Sequence, residues 1–170
     1  MKELEILLAN FVACRQRIEK LQYSLEKNRP LFPMARERVA SLTGEQEESI
    51  DALILRYSQC VAMIQDQVFR GIAYVEQEDI GDKSNRDRAL LMEKLGAIKS
   101  AEAFGTAAVL RNKFSHHYPE DLDIRIERLN LVIEESGYVV AAFGDITTFL
   151  AQKGFLDKLG NDVSSMTREA

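Results

Sequence analysis

The chain has 170 residues, of which 46% are hydrophobic and 29% are charged, with a formal net charge of −5. This length and composition are typical of one soluble domain with its own core, and no apolar run approaches the ~20 residues that a membrane-spanning helix needs. The acidic balance excludes broad electrostatic capture of nucleic acid, so any contact with RNA must use a local basic patch.

The N-terminal segment predicts a long helix over residues 3–27. Its first turn carries acidic residues, and the segment lacks a small-residue cleavage site. We therefore expect no signal peptide and a cytoplasmic protein. Both cysteines, Cys14 and Cys60, lie within apolar helical patterns, which predicts buried reduced thiols and no structural zinc site. The steps between apolar positions alternate between three and four, as in a helix that buries one stripe, at Leu4, Leu7, Phe11, Cys14, Ile18, Leu21 and Leu25.

Prolines at positions 30 and 33 break this first helix. A short helical piece is expected from Met34 to Leu42, and Thr43 then provides a helix-start signal with acidic residues in the following turn. The second long helix repeats the same spacing of apolar positions, at Ile50, Ile54, Tyr57, Val61, Ile64, Val68, Ile72 and Val75.

Three further helices are predicted in the second half of the chain. Ser84 or Asn85 can cap a helix that Gly96 weakens near its end, and Ser100 starts another helix that reaches about Phe114. We expect Pro119 to stop that helix and to open the last one, with Glu120 and Asp121 in its first turn. The last helix runs from Leu122 to about Leu150, and its apolar positions are Leu122, Ile126, Leu129, Ile133, Val140 and Phe143.

No segment shows sustained two-residue alternation, so the predicted fold class is all-α, a helical bundle of four to five main helices. We expect a single domain over residues 1–155 and a frayed C-terminal tail over residues 156–170. The regular apolar seams of the first two helices also fit a simple coiled-coil or dimer seam.

Chemically versatile residues concentrate in one segment, residues 111–118, which precedes Pro119. Arg111 stays charged at any working pH and can bind phosphate oxygens in a forked geometry. The unperturbed pKa of histidine is near neutrality, so His116 can both accept and donate a proton. Asn112 can hold a phosphate or a base edge, and Lys113 adds a second cation. Arg111 and His116 are therefore the minimum pair for metal-independent phosphodiester cleavage, Arg111 by stabilising charge and His116 by transferring protons.

Geometry limits this pair within one rigid helix. Five residues amount to about 500° of helical rotation, which leaves Arg111 and His116 roughly 140° apart in projection. We expect the helix to end near residues 115–117, which frees His116 to move. The alternative is a two-fold dimer in which two copies of the motif face each other across a cleft.

The spacing Arg-x4-His-x-Tyr, with Asn112 directly after Arg111, resembles the signature of HEPN-domain proteins, in particular the HepT-like toxins of toxin–antitoxin pairs. The resemblance implies a HEPN-like helical bundle and a homodimeric endoribonuclease that needs no metal or other cofactor. The implied system is a type VII HEPN/MNT pair, with RNA as the substrate and neither DNA nor a membrane as a partner. The resemblance rests mainly on residues 99–119.

The same resemblance assigns a separate role to Tyr118. In HepT-like proteins, the tyrosine at this place is modified by the cognate MNT-type nucleotidyltransferase antitoxin, which attaches AMP from ATP and silences the toxin. A bulky anion two residues from His116 would repel RNA phosphate and obstruct the cleft.

Several alternatives stay open at this stage. Arg111, His116 and His117 also fit a solvated helix end, and Tyr118 fits a packed turn aromatic. A metal site from His116, His117 and Asp121 or Asp123 lacks helical ligand spacing. The chain also fits a non-catalytic, nucleotide-binding partner subunit of a nucleotidyltransferase. A final group of basic residues forms either an ordinary solvated helix face or a wall that guides RNA, namely Lys83, Arg86, Arg88, Lys94 and Lys99.

Overall fold

The computed structural model of the chain describes residues 2–116 and 121–160, except for the side chains of Ser115 and His116. Seven α-helices and no strand occur in these two ranges, which confirms the predicted all-α class. None of the described helices combines the length and the apolar character that crossing a membrane requires.

Helix α1 spans Lys2–Asn28, and all seven apolar positions predicted for its buried stripe are buried. Asn28 ends it with a buried carboxamide whose Nδ2 donates hydrogen bonds to the carbonyl oxygens of Ser24 (2.7 Å) and Ser49 (3.1 Å). A 3₁₀ turn, Arg29–Leu31, follows at the predicted proline break. The helix end is therefore fixed both to its own last turn and to the next long helix.

Helix α2 is short, Arg36–Ser41, and lies in a connection that is held against the C-terminal helix. The backbone N–H of Met34 donates to Oδ1 of Asn130 (2.7 Å), and Nδ2 of Asn130 donates to the carbonyl oxygen of Met34 (3.2 Å). Arg36 pairs with Asp123 at 2.7 Å. These contacts join segments almost a hundred residues apart in the chain.

The predicted second helix is one long rod made of α3 (Gly44–Met63), a π-helical turn (Ile64–Val68) and α4 (Phe69–Val75). Thr43 caps its start as predicted, in a reciprocal capping box with Gln46. The π turn was not predicted. It brings consecutive residues inward, so that Ile64 and Gln65 are both buried.

Helix α5, Asn85–Leu95, is capped by the Ser84 hydroxyl, which accepts a hydrogen bond from the N–H of Asp87 (3.2 Å). The sequence predicted that Gly96 would weaken this helix near its end. The structure instead places Gly96 just after the last helical residue. Its φ of 87° is the left-handed conformation that terminates helices, and glycine adopts it without strain.

Helix α6, Ala101–His116, begins after Ser100, whose hydroxyl accepts from the N–H of Ala103 (3.0 Å). Helix α7, Leu122–Gln152, begins after Asp121. Asp121 is the capping residue and not part of the first turn, which corrects the sequence expectation. One of its carboxylate oxygens accepts from the N–H groups of Asp123 and Ile124.

The core lies between two sets of helices. Helix α1 packs against α3, α4 and α7, while α6 packs against α3, α5 and α7. Phe11 stacks on Phe143 with ring centroids 5.2 Å apart, and Phe69 lies 4.8 Å from Phe104 in a tilted pair. Past α7, three residues of the chain end are half-buried against this core, namely Phe155, Leu156 and Leu159.

Candidate functional site

Helix α6 carries the described part of the Arg-x4-His motif. Arg111 is half-buried, Asn112 and Lys113 are exposed, and Phe114 packs partly buried against the core. The backbone is helical through residue 116. Because residue 116 is still helical, positions 111 and 116 are about 140° apart around one axis.

The rest of the motif lies outside the described residues. This applies to the predicted AMP acceptor Tyr118, to the second imidazole at His117 and to Pro119.

A cavity of about 900 Å³ is lined mainly by α5 and α6, with Gln65 of the π turn and Leu131 and Glu135 of α7 also at its wall. Asn112 and Lys113 line it, whereas Arg111 is not among its lining residues. Most of the α6 residues between Ala101 and Lys113 line the cavity, and those that do not lie four residues apart, at positions 103, 107 and 111.

The predicted basic wall is only partly assembled at this cavity. Arg86 lines it together with Lys113, so two cations from two helices share one opening. Lys99 instead pairs with Asp145 at 3.4 Å, and Arg88 is half-buried. Lys94 is exposed and does not line the cavity. Of the five residues of the predicted wall, Arg86 therefore lines the cavity, and Lys83, Arg88, Lys94 and Lys99 do not.

Carboxylates also face this cavity. Glu93 lines it, and its Oε2 accepts a hydrogen bond from the N–H of Ala101 at the start of α6 (3.1 Å). Glu135 of α7 lines the inner part, where burial, and to a lesser degree the negative charge of Glu134, raises the pKa of its carboxyl group. Burial disfavours the charged form of a carboxyl group, so Glu135 holds a proton more readily than an exposed glutamate.

Helix α6 is held in place by a hydrogen bond from a buried phenol. The hydroxyl of Tyr57, which is fully buried, donates a 2.6 Å hydrogen bond to the carbonyl oxygen of Ala107. Burial, with a smaller contribution from Glu135, raises the pKa of Tyr57, so the phenol stays protonated and keeps donating. This bond fixes the helix one turn before Arg111.

One cavity residue was not identified from the sequence. Gln65 belongs to the π turn, lines the cavity and is only 5% exposed. Its Oε1 accepts no hydrogen bond from any described residue. A glutamine in a regular helical pattern carries no signal for this environment, because the inward position results from the π turn, which the spacing of apolar residues did not reveal.

The described ranges contain no group of three or more histidine, cysteine, aspartate or glutamate side chains arranged to hold a metal ion. The hypothetical site at residues 116–123 includes His117, which lies outside these ranges. Cys14 and Cys60 are both buried free thiols, as predicted.

Comparisons with family models, with curated proteins and with solved structures find no match for this chain.

Proposed function

We propose that this chain is a metal-independent endoribonuclease of the HepT-like HEPN type, the toxin of a type VII toxin–antitoxin pair. The observation that carries the proposal is the position of the motif beside a large cavity. Asn112 and Lys113 line this cavity together with Arg86 of the neighbouring helix. Arg86, Lys113 and the Asn112 carboxamide can bind a sugar–phosphate chain, at an opening that is also lined by the carboxylates Glu93, Glu102 and Glu135.

In the proposed reaction, His116 removes the proton from a ribose 2′-hydroxyl, and the oxygen attacks the adjacent phosphorus. The bond to the 5′-oxygen of the next nucleotide breaks, and that oxygen takes up a proton, which leaves a 2′,3′-cyclic phosphate and a 5′-hydroxyl. Arg111 stabilises the charge on the phosphorane oxygens, and Asn112 and Lys113 position the chain.

The helical backbone at residue 116 favours a composite site over a site within one chain. Arg111 and His116 are about 140° apart around α6, and Arg111 is half-buried outside the cavity. A two-fold homodimer would let Arg111 of one copy act beside His116 of the other. We therefore propose the homodimer as the active form.

Regulation is proposed to act on Tyr118. The cognate MNT-type nucleotidyltransferase would transfer AMP from ATP to the phenolic oxygen and release pyrophosphate. The added phosphate charge and nucleoside bulk, two residues from His116, would repel and obstruct RNA. Intact-mass measurement after incubation with the partner and ATP tests this step. No gain of one AMP mass, or a gain that persists in Tyr118→Phe, rejects the role of Tyr118.

Cleavage is tested with purified protein, free of the antitoxin, incubated with RNA in the presence of EDTA. We expect cleavage by the unaltered chain, loss of cleavage in Arg111→Ala and His116→Ala, and retained cleavage in Lys94→Ala. Lys94 is a suitable control because it is an exposed cation outside the cavity. Intact RNA with the unaltered chain, together with a growth defect that neither motif variant relieves, refutes the nuclease.

One observation favours a second function. The cavity, with Arg86 and Lys113 at its wall, also suits a non-catalytic subunit that binds a nucleotide for a partner nucleotidyltransferase. This function predicts nucleotide binding without RNA cleavage. The EDTA cleavage assay separates the two.

A further inference from the structure

A second concentration of positive charge lies on α1 rather than on the helix that carries the motif. Residues 15–29 hold five cations and two carboxylates, although the chain as a whole has a net charge of −5. Gln16, Lys20, Tyr23 and Lys27 follow one another at steps of four, three and four, so they share one side of α1. All four are exposed. An acidic chain needs a local basic patch of this kind in order to bind a polyanion.

The phenol of Tyr23 lies in the middle of this row. It is 64% exposed, so its ring contributes little to the core. The guanidinium carbon of Arg56, which belongs to α3, lies over the ring at 6.0 Å from its centre. Exposed aromatic rings and guanidinium planes are the groups on which the bases of single strands stack.

The side chain of Arg56 is held in place by α1. Its Nη1 donates hydrogen bonds to Oγ of Ser24 (2.7 Å) and to the carbonyl oxygen of Lys20 (3.2 Å). Both acceptors are neutral, so these bonds fix the guanidinium without cancelling its charge. The other nitrogens of the guanidinium can donate to a phosphate oxygen.

The cations of this surface are not neutralised by ion pairs. In the ranges that the structure describes, the ion pairs involve residues other than Lys20, Lys27 and Arg56. One carboxylate, Glu19, shares the surface and opposes the binding of an anion. A shallow hollow of about 360 Å³ lies between the two helices, and its lining residues are Gln16, Glu19, Lys20, Tyr23 and Arg56.

We propose that the α1–α3 surface, formed by Lys20, Tyr23 and Lys27 of α1 and Arg56 of α3, binds single-stranded RNA outside the cleavage cavity. A base stacks on the platform of Tyr23 and Arg56, and the adjoining phosphates contact the three cations. Stacking and charge tolerate any sequence, so this surface holds a long strand on the protein without selecting it. The choice of RNA as the strand rests on the proposed nuclease function.

The stacking contact is tested by fluorescence anisotropy of the full-length chain with a labelled single-stranded RNA of about ten nucleotides. Its 2′-oxygens are methylated, which removes the attacking hydroxyl group and prevents cleavage. Tyr23→Leu should weaken binding about tenfold because base stacking is lost, whereas Tyr23→Phe should bind as tightly as the unaltered chain. Tyr74→Leu is the matched control, because Tyr74 is 54% exposed on α4 and does not line the hollow.

A strand of the same length without bases separates stacking from charge. Tyr23→Leu should leave the affinity for this abasic strand unchanged. Lys20→Ala and Lys27→Ala should weaken the binding of both strands, and each should reduce the slope of log affinity against log salt by about 0.7. Glu19→Gln should strengthen the binding of both strands, because it removes the carboxylate at the wall of the hollow.

The proposal is overturned if Tyr23→Leu binds the methylated strand as tightly as the unaltered chain, or if Tyr74→Leu loses as much affinity. A salt slope that neither lysine variant changes overturns it as well. The methylated strand reports binding alone, so this surface and the nuclease fail separately. Tight, Tyr23-dependent binding without cleavage in the EDTA assay would refute the nuclease and leave the surface, and cleavage without Tyr23-dependent binding would do the reverse.

Discussion

The hydroxyl of Tyr57 lies 2.6 Å from the carbonyl oxygen of Ala107, and this bond joins the long α3 rod to the helix that carries the motif. Ala107 is fully buried and precedes Arg111 by four residues, so the bond fixes α6 where the chemistry is proposed. A buried polar contact of this kind sets the rotation and height of one helix against another more strictly than apolar packing does.

Tyr57→Phe should therefore destabilise the chain by about 1 kcal/mol, the typical net contribution of one neutral hydrogen bond. The ring stays in place and only the hydroxyl is lost. Chemical denaturation with urea measures the change. Tyr23→Phe is the control, because Tyr23 is 64% exposed and its hydroxyl should contribute little. Equal stability of the two variants would show that the Tyr57 bond does not hold α6.

Gly71 lies at a close approach between α1 and α4. A Cβ atom at this position would lie 3.0 Å from Cδ1 and 3.3 Å from Cβ of Leu7, which is fully buried. Gly71→Ala should destabilise the chain by about 1 kcal/mol, because the strain of overpacking outweighs the gain in helix propensity. Gly144→Ala in α7 has open space and should stabilise by up to about 1 kcal/mol. Changes of the same sign in both variants would contradict the close approach.

Most of the fold follows from the spacing of apolar residues. The long stripes from Leu4 to Leu25 and from Ile50 to Ile72 are buried as predicted, since a helix that buries one side must repeat every three to four residues. The Thr43 cap was predicted because its hydroxyl satisfies an otherwise unpaired N–H. Gly96 was predicted inside a helix and lies just after one, and Asp121 was predicted inside a helix and lies just before one. The last residue of a helix depends on backbone angles, and composition does not specify these.

Only the part of the candidate site whose residues are neighbours in the sequence could be predicted. Residues 111–113 stand out by type and spacing alone, whereas Arg86 and Gln65 join Asn112 at the cavity through the packing of three chain segments. The inward position of Gln65 depends on the π turn, and a π turn cannot be predicted from the spacing of apolar residues. The roles of His116 and Tyr118 stay predictions.

The two cysteines should be chemically inert in the folded chain. Burial raises the pKa of both Cys14 and Cys60 to about 12, and the thiolate is the reactive form. A thiol reagent such as Ellman's reagent should therefore label neither residue in native buffer and both after denaturation. Ala141→Cys, at an exposed position of α7, should react at once and serves as the positive control. Rapid labelling of the unaltered native chain would contradict the buried positions.

Glu135 should make stability depend on pH in a defined direction. Burial, and secondarily Glu134, raises the pKa of Glu135 above its ordinary value of 4.5. The protonated form is therefore favoured by folding, and its stabilising effect is present below about 4.5 and lost as pH rises through the folded-state pKa. Glu135→Gln should consequently raise the melting temperature near neutral pH and leave it unchanged in acid.

Glu134→Gln tests the second cause of the same pKa shift. Removing the neighbouring charge should lower the pKa of Glu135 toward its ordinary value, which titration by NMR of the carboxyl carbon can follow. A gain in melting temperature for Glu135→Gln that is equally large at acid and neutral pH would show that the effect is not electrostatic.

Arg86 and Lys113 should contribute to RNA binding through charge alone. Because each neutralises about one phosphate, Arg86→Ala and Lys113→Ala should weaken RNA binding at low salt, and each should reduce the slope of log affinity against log salt by about 0.7 for a single strand. Fluorescence anisotropy at several salt concentrations, with His116→Ala in the background to prevent cleavage, measures both quantities. Lys94→Ala is the matched control on the same helix as Arg86, since Lys94 is exposed outside the cavity. An equal change of slope for Lys94→Ala and Arg86→Ala would mean that RNA follows the general surface charge, and the cavity would then have no special role in binding the chain.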